Sequence, residues 1–592
     1  MSKVAKTKLT IPRWRFLLVL SGLALLPAAA IWHIAGLQVM PDADRGYEFL
    51  QGQSIARTVR TQAIPAYRGV ISDRRGTPLA VSTPVVSLWV NPRELDASLV
   101  DLTKLCTELG ITVQQFRERL RRYDNKEFMY LARHLTPDSA NKILRLELPG
   151  IYAQDEYKRF YPAGEVAAQL IGFTNIDDRG QEGMELAYDG VLTGVPGAKK
   201  ILKDLKGRVI KDLALVSSEK PGGNLQLSID LRLQYTAYRE LKAAVSRHKA
   251  SSGSVVVLDV KSGEVLAMAN QPSFNPNDRS QLNADALRNR AVTDLLEPGS
   301  LMKPLTMAAA LESGKFNAST PIDTAPGYLR VGRKTFVDPI NYGLIDVTGI
   351  LTKSSQVGTT KVALALEPDH IRDMFQRVGI GESPGTGFPG ESPGSLPQYQ
   401  NWKPVVRANF AFGYGLSATA LQLAQAYSVL ANDGLKKPVS LLKVEEDYPG
   451  EPVLSGDVAR QVRTMLKTVT EKGGTGTRAA IPSYQVAGKT GTVHKVGKQG
   501  YQEHRYVALF AGMAPADDPR LVTVVIINDP RGEQYFGGQV AAPVFASVTA
   551  DALRMLNIPP RLSAGELLAA DASEKAAKEI VGRELPASGG AI

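Results

Sequence analysis

Phe16 to Val39 is an almost unbroken apolar run, and it constrains everything that follows. Leu17, Leu18, Val19, Leu20, Leu23, Leu25, Leu26, Ile31, Trp32, Ile34 and Leu37 leave no room for a charge. A membrane span takes about 20 such residues. Lys3, Lys6, Lys8, Arg13 and Arg15 precede the run, and no acid occurs before Asp42. That asymmetry predicts a cytoplasmic N-terminus with the bulk of the chain exported. Cleavage of a signal peptide at Ala28-Ala29-Ala30 is the rival reading. Apolar sequence continues well past those alanines, which favours an uncleaved anchor.

The remainder is too long for one core, so 592 residues predict two to four domains. Five of the eleven net positive charges lie before residue 16. The mild excess left over, without basic-aromatic interleaving, argues against nucleic acid as a partner. One cysteine, Cys106, excludes an intrachain disulfide and reads as a small buried hydrophobe in a helix. No His/Cys cluster or His-Glu-x-x-His points to a metal, and none is expected. Gly488-Lys489-Thr490 fails as a phosphate loop, because Ser483 stands where its first glycine belongs. No cofactor is called for.

Residues 42–60 read as a polar connector. Ile64–Ala80 reads as strand, turn, strand, with the turn at Asp73–Gly76, and Val86–Val90 as another short strand. Residues 99–146 carry helical periodicity with solvated charges, and 157–220 is rich in glycine turns, where Glu182 and Glu185 read as turn or salt-bridge residues. Pro221-Gly222-Gly223 is a linker candidate. Beyond it, Leu225–Ile229 reads as a strand and Leu231–Ser246 as a helix. Ser254–Leu258 with Val265–Ala269, and Tyr506–Met513 with Leu521–Ile527, read as two hairpins. Residues 380–398 read as an irregular loop, Leu421–Leu430 and Ala541–Leu556 as helices, and 560–592 as a flexible tail.

The chemistry concentrates in Glu297-Pro298-Gly299-Ser300-Leu301-Met302-Lys303. A Pro-Gly turn hands over to Ser300, and helix formers follow it. Ser300 therefore sits near a helix N-terminus, which favours developing negative charge. Lys303 lies on the same helical face and is a candidate proton acceptor for the hydroxyl. Ser-x-x-Lys alone is weak, since it recurs at Ser217/Lys220, Ser246/Lys249 and Ser440/Lys443. The bland reading is a helix N-cap with an exposed lysine. Order supplies what the single motif lacks. Lys353-Ser354-Ser355-Gln356 follows Ser300, then Ala487-Gly488-Lys489-Thr490-Gly491-Thr492. Thr490 and Gly491 suit an edge strand that a ligand backbone approaches closely.

Ser-x-x-Lys, a serine-amide motif and Lys-Thr-Gly, in that order, are the signature of β-lactamases and penicillin-binding proteins. The chain resembles a class B penicillin-binding protein nearly end to end. Arg68–Arg74, Arg159–Glu165 and Gly183-Met184-Glu185 are similar to the family's N-terminal pedestal, and Phe412–Leu416 and Gly473–Thr477 to its penicillin-binding domain. Thr386-Gly387-Phe388-Pro389-Gly390-Glu391 resembles the septal, cell-division branch. One position departs: Gln356 stands where that branch has asparagine. The strict Ser-x-Asn copies, Ser139/Asn141 and Ser273/Asn275, both precede Ser300 and are in the wrong order.

The resemblance implies an α+β fold: a transmembrane helix, a β-rich pedestal, and a transpeptidase domain with an antiparallel sheet flanked by helices. The expected divisions are a cytoplasmic tail 1–15, an anchor 16–39, a pedestal 40–220, a transpeptidase domain 221–558 and a tail 559–592. It implies that Ser300 attacks the D-Ala-D-Ala end of a peptidoglycan stem peptide, with Lys303 taking the proton, Ser354 relaying one to the leaving group and Lys489 holding positive charge. Gln356, Thr490, Gly491 and Thr492 would bind substrate, with the backbone N–H groups of Ser300 and Thr492 as oxyanion hole. β-Lactams would trap Ser300. The implied location is the bacterial inner membrane, and the implied partners are a membrane-embedded glycan polymerase and other division-site membrane proteins. Two alternatives stay open: a hydrolase sharing the three motifs, and a catalytically weak scaffold or sensor marked by Gln356.

Overall fold

The apolar run forms one continuous helix, α1 (Arg13–Gln38), in a computed structural model of the protein. The structure describes residues 12–560 except 39–47, 50–51, 54–57, 96–97, 205–208, 281, 447 and 498–499. The lysines at 3, 6 and 8, most of the 42–60 connector and the tail beyond residue 560 lie outside the described residues. Among the described residues, α1 is the one helix long and apolar enough to cross a membrane.

Two compact units follow from the contacts. The first comprises residues up to 66, 84–157 and 194–221. It holds a three-stranded antiparallel sheet, with Gly197–Lys203 between Val59–Ile64 and Val209–Ser217. It also holds a small core in which Leu88, Leu105, Phe116, Leu131 and Ile143 surround Cys106. Cys106 is buried in the helix Leu99–Leu109, as a small hydrophobe, and burial pushes its thiol pKa up. Two expectations need correction here. The helical reading of 99–146 is interrupted by a strand, Met129–Leu135, whose alternate residues Met129 and Leu131 are buried. Val86–Val90 is not a separate strand but the end of one long strand, Pro78–Val90. Pro84 is exposed within it, between the part that pairs with Ile71–Ser72 and the part that pairs with Met129–Leu135.

The second unit comprises residues 67–83, 158–193 and 222 onward. Its segments 67–83 and 158–193 close on a buried ionic cluster. Glu185, fully buried, accepts from Arg68 Nε at 2.6 Å and from Arg159 Nε at 2.7 Å. Arg68 also donates to the Glu185 carbonyl and to Asp189, both at 2.7 Å, and to Thr193 at 2.9 Å. The salt-bridge reading of Glu185 is therefore the observed one. These are the stretches around Arg68, Arg159 and Gly183 that resemble the pedestal.

The unit is organised on a five-stranded antiparallel sheet: β1 (Ser252–Asp259), β2 (Val265–Gln271), β3 (Ala487–Gly497), β4 (Gly500–Ala514) and β5 (Leu521–Asn528), in spatial order β2-β1-β5-β4-β3. Both expected hairpins are present, and β4–β5 is central. Alternate residues face opposite layers, which is why these runs are apolar throughout. Val255, Val257, Phe510 and Val525 face α2 (Leu231–Arg247) and the closing helix Ala542–Met555. Val256, Leu258, Leu509 and Val524 face the layer that contains Leu301, Leu305 and Tyr427. The sheet lies between helices, as the resemblance implies, and β3 is left at its edge.

Candidate active site

Ser300 lies in a 3₁₀ turn, Gly299–Met302, that runs directly into α3 (Lys303–Glu312). Two glycines shape this entry. Gly299 has φ +56°, and a Cβ there would stand 2.1 Å from Val493 Cγ1. Gly413, at φ +82°, would put a Cβ 2.3 Å from the Gly299 carbonyl oxygen. No side chain fits at either position. Gly299 N donates to Gly413 O at 3.2 Å, and Gly415 N donates to Glu297 Oε1 at 2.9 Å. The Phe412–Leu416 stretch is thus the seat of the turn that presents Ser300.

Ser354 occupies the centre of the site. Asp346 caps the helix Val347–Lys353, and Ser354 ends it in a left-handed conformation at φ +57°. That conformation costs about 1–2 kcal/mol for a residue with a side chain and turns the next residue, Ser355, into the N-cap of α4 (Gln356–Ala365). Ser354 Oγ donates to Ser300 Oγ at 3.3 Å. It accepts from Lys303 Nζ at 3.2 Å and from Lys489 Nζ at 3.0 Å. Lys303 Nζ also donates to the Ser354 carbonyl at 2.6 Å. Lys303 N donates to the Ser300 carbonyl, but no hydrogen bond joins the two side chains among the described residues, so in this resting geometry the route between them passes through Ser354 Oγ.

Both lysines are completely buried. Burial favours the neutral amine. It brings the Lys303 pKa down to about 7, against a smaller upward pull from the Asp338 carboxylate. Lys489 is driven well below its ordinary value by burial and then by the neighbouring Lys303 charge. Two ammonium groups do not share this volume at neutral pH, and a neutral amine beside Ser354 and Ser300 is a proton acceptor.

Lys489, Thr490, Gly491 and Thr492 lie on β3, paired with Ala511, Phe510, Leu509 and Ala508 of β4, with no strand on the other side among the described residues. Thr490 Oγ1 shares a 2.8 Å hydrogen bond with Thr475 Oγ1, which explains why the Gly473–Thr477 stretch accompanies this strand. Thr492 Oγ1 accepts from Gly537 N at 2.9 Å, leaving its own hydrogen to donate. A Cβ at Gly491 would press on Leu301 Cγ at 3.3 Å, so glycine sets how closely the strand approaches the serine helix. The upstream Lys261-Ser262-Gly263 lies in the β1–β2 turn.

Gln356 is the first residue of α4, with an exposed side chain that makes no hydrogen bond among the described residues. Its backbone is held by a residue the sequence analysis missed. Asp338, buried, accepts from Gln356 N and Ser355 Oγ, both at 2.5 Å, and from Val357 N at 3.2 Å. It thus fixes the Ser354–Gln356 loop and places a negative charge near Lys303. It follows the hairpin strand Lys334–Val337, 17 residues upstream of Ser355, and nothing in its local sequence marks it.

The site can stabilise an attacking serine oxygen, receive its proton and dock an extended peptide on a free strand edge. Comparisons with known proteins agree with it. Residues 253–550 match the penicillin binding protein transpeptidase domain, and residues 63–227 the penicillin-binding protein dimerisation domain. The chain is 44% identical over 553 residues to the peptidoglycan D,D-transpeptidase FtsI of Escherichia coli, covering 92% of each. It is 43% identical over 547 residues to the probable peptidoglycan D,D-transpeptidase PbpC of Pseudomonas aeruginosa, covering 92% of this chain and 96% of that one. The crystal structure of penicillin binding protein 3 from Mycobacterium tuberculosis, complexed with aztreonam, matches with a TM-score of 0.65 at 28% identity, over 85% of this chain and 98% of that one. The chain belongs to the class B penicillin-binding proteins, of the septal FtsI type.

Proposed function

We propose that the chain is a membrane-anchored peptidoglycan D,D-transpeptidase of septal wall synthesis and a covalent target of β-lactams. The observation that carries this reading is Ser354 Oγ within 3.0–3.3 Å of Ser300 Oγ, Lys303 Nζ and Lys489 Nζ. Ser300 Oγ attacks the carbonyl of the penultimate D-alanine while Lys303 takes its proton, through Ser354 in the resting arrangement. The oxyanion is held by the backbone N–H groups of Ser300 and Thr492. The C–N bond breaks, and the departing D-alanine amine gains a proton from Ser354, which is resupplied from the lysine pair. An acceptor amine then attacks the ester, forming the cross-link and releasing Ser300. Thr490 and Thr492 hydroxyls hold the donor carboxylate, Gly491 lets the donor backbone approach, and the Gln356 amide holds the donor amide. A β-lactam follows the first half, but its leaving amine stays tethered to the acyl group.

In this reading residues 40–220 are the pedestal and 221–558 the catalytic domain. α1 holds the chain in the bacterial inner membrane with residues 1–15 in the cytoplasm. A membrane-embedded glycan polymerase and other division-site membrane proteins are its partners.

Incubating the full chain, in detergent, with a penicillin and recording intact mass tests the assignment. A stable one-to-one adduct is expected in the wild type and none in Ser300→Ala. Absence of an adduct in the wild type and in Gln356→Asn would remove the assignment, and rapid drug turnover would indicate a hydrolase. An adduct confined to Gln356→Asn would restore the scaffold reading. We expect Gln356→Asn to label roughly tenfold faster than wild type, since a shorter side chain with the same amide restricts where that group sits.

The labelling rate should rise with pH. Lys303 must be neutral to act, so with its pKa at about 7 the rate at pH 5 is expected to be about 100-fold below its plateau. Asp338→Asn removes the charge that raises Lys303 and should move the midpoint to lower pH. An unchanged midpoint would show that Asp338 acts on the loop alone.

A further inference from the structure

A cavity of about 800 Å³ lies beside the catalytic turn. It is bounded by Val493–Val496 of β3, the start of β1, the end of β5 and the segment 288–297, which includes the short helix Arg290–Thr293. Its walls mix apolar side chains, Leu296, Val493 and Ile526 among them, with polar ones such as Ser252, Ser417 and Asn528. It shares two structural members with the active site: Val493 packs on Gly299, and Leu296–Glu297 lead directly to Ser300.

The charges around it are unequally matched. Arg290 is paired with Asp285 at 2.7 Å and Asp294 at 2.9 Å, and Arg288 with the same two acids at 3.1 and 3.5 Å. Glu297 is occupied by Tyr501 and Gly415 N. Lys495 lines the cavity, half-buried, and makes no hydrogen bond or ion pair among the described residues. Burial lowers its pKa most, and Arg505, Arg531 and Arg290 add to this, while Asp529 alone opposes them. Asp529 is already held by Arg505 at 2.5 Å and Arg531 at 3.0 Å. A cavity of mixed lining that holds an unpaired lysine has the composition of a site for an anionic small molecule or peptide.

We propose that this cavity is a carboxylate-binding subsite for the stem peptide, with Lys495 as its anion contact. The inference rests on the transpeptidase reading, in which both substrates are short peptides with free carboxylates along the chain. A carboxylate seated here satisfies Lys495 and places its peptide against β3 and the Ser300 turn. Donor and acceptor strands share this chemistry, and the test separates them.

The full chain in detergent is compared with Lys495→Gln and Lys495→Arg. In one arm the donor is a synthetic stem peptide whose mid-chain carboxylate is free or amidated, and D-alanine release is measured. In the other the donor is fixed, and the acceptor peptide is offered free or amidated, reading cross-linked against hydrolysed product. The wild type is expected to prefer the free acid about tenfold in one arm, which identifies the strand. Lys495→Gln should erase that preference, Lys495→Arg should keep it, and penicillin labelling of Ser300 should stay within about twofold in both. No preference in the wild type, or one that survives in Lys495→Gln, would overturn the proposal. A wild-type chain that penicillin does not label would instead remove the transpeptidase reading, and this inference with it.

Discussion

Lys303→Met is expected to slow penicillin labelling of Ser300 by roughly 1,000-fold or more while leaving the protein folded. Methionine keeps the unbranched apolar stem that fills this completely buried position but has no atom that takes a proton at neutral pH. Lys489 is no substitute. Burial is the main cause of its lowered pKa and the Lys303 charge the smaller one, so losing that charge leaves a smaller fraction of Lys489 neutral and available as an acceptor. The loss should persist up to high pH, unlike the wild-type limb near neutrality, because the missing acceptor is not restored by titration. Intact-mass time courses from pH 5 to 9 would measure this, with a melting temperature within about 2–4 °C of wild type as the control for folding. Labelling within tenfold of wild type would assign the base elsewhere.

Glu185→Ala should cost about 3–5 kcal/mol, through a different physical cause. Glu185 is salt-bridged to both Arg68 and Arg159, which are 1% and 6% exposed. Removing it leaves two guanidinium groups without their shared counter-ion. Asp189 compensates only Arg68. The expected readout is a lower first unfolding midpoint in urea and faster proteolytic cleavage within residues 67–83 and 158–193. Ser300 should label within about twofold of wild type in the protein still folded at low temperature. Glu185→Gln, which keeps one acceptor oxygen, should lose less. An unchanged midpoint in Glu185→Ala would mean the cluster adds nothing to stability.

Local signals carried much of this fold into the sequence. The β1–β2 and β4–β5 hairpins were legible because apolar runs of strand length flank turn residues. The helix after Ser300 was legible from its formers and its Pro-Gly entry. Ser300, Lys303, Ser354 and Lys489 could be named from motif order, and the structure gathers all four. Their arrangement was not legible. Ser354 stands between Ser300 and both amines only because helix Val347–Lys353 ends in a left-handed residue, and that backbone choice has no sequence mark at a serine. Asp338 escaped because its partners are brought to it by tertiary packing. Met129–Leu135 was absorbed into a helical reading because seven residues between two helices leave little room for period 2 to show. Pro78–Val90 was cut short because a proline inside a strand usually ends it, and here the strand runs on through an exposed Pro84.

The open edge of β3 has a pharmacological consequence. A ligand that lies along Lys489–Thr492 as an added strand is held by peptide N–H and C=O groups, which are the same whatever amino acid the gene encodes. Substitutions can change the hydroxyls of Thr490 and Thr492 or the amide of Gln356, but not the main chain between them. Escape from an inhibitor that draws its affinity from that main chain would require proline on the strand, or displacement of β3 itself. Gly491 and Gly537 are packed backbone to backbone there, with a Cβ at Gly537 only 2.3 Å from the Gly491 oxygen. Moving the strand would therefore disturb the enzyme along with the drug.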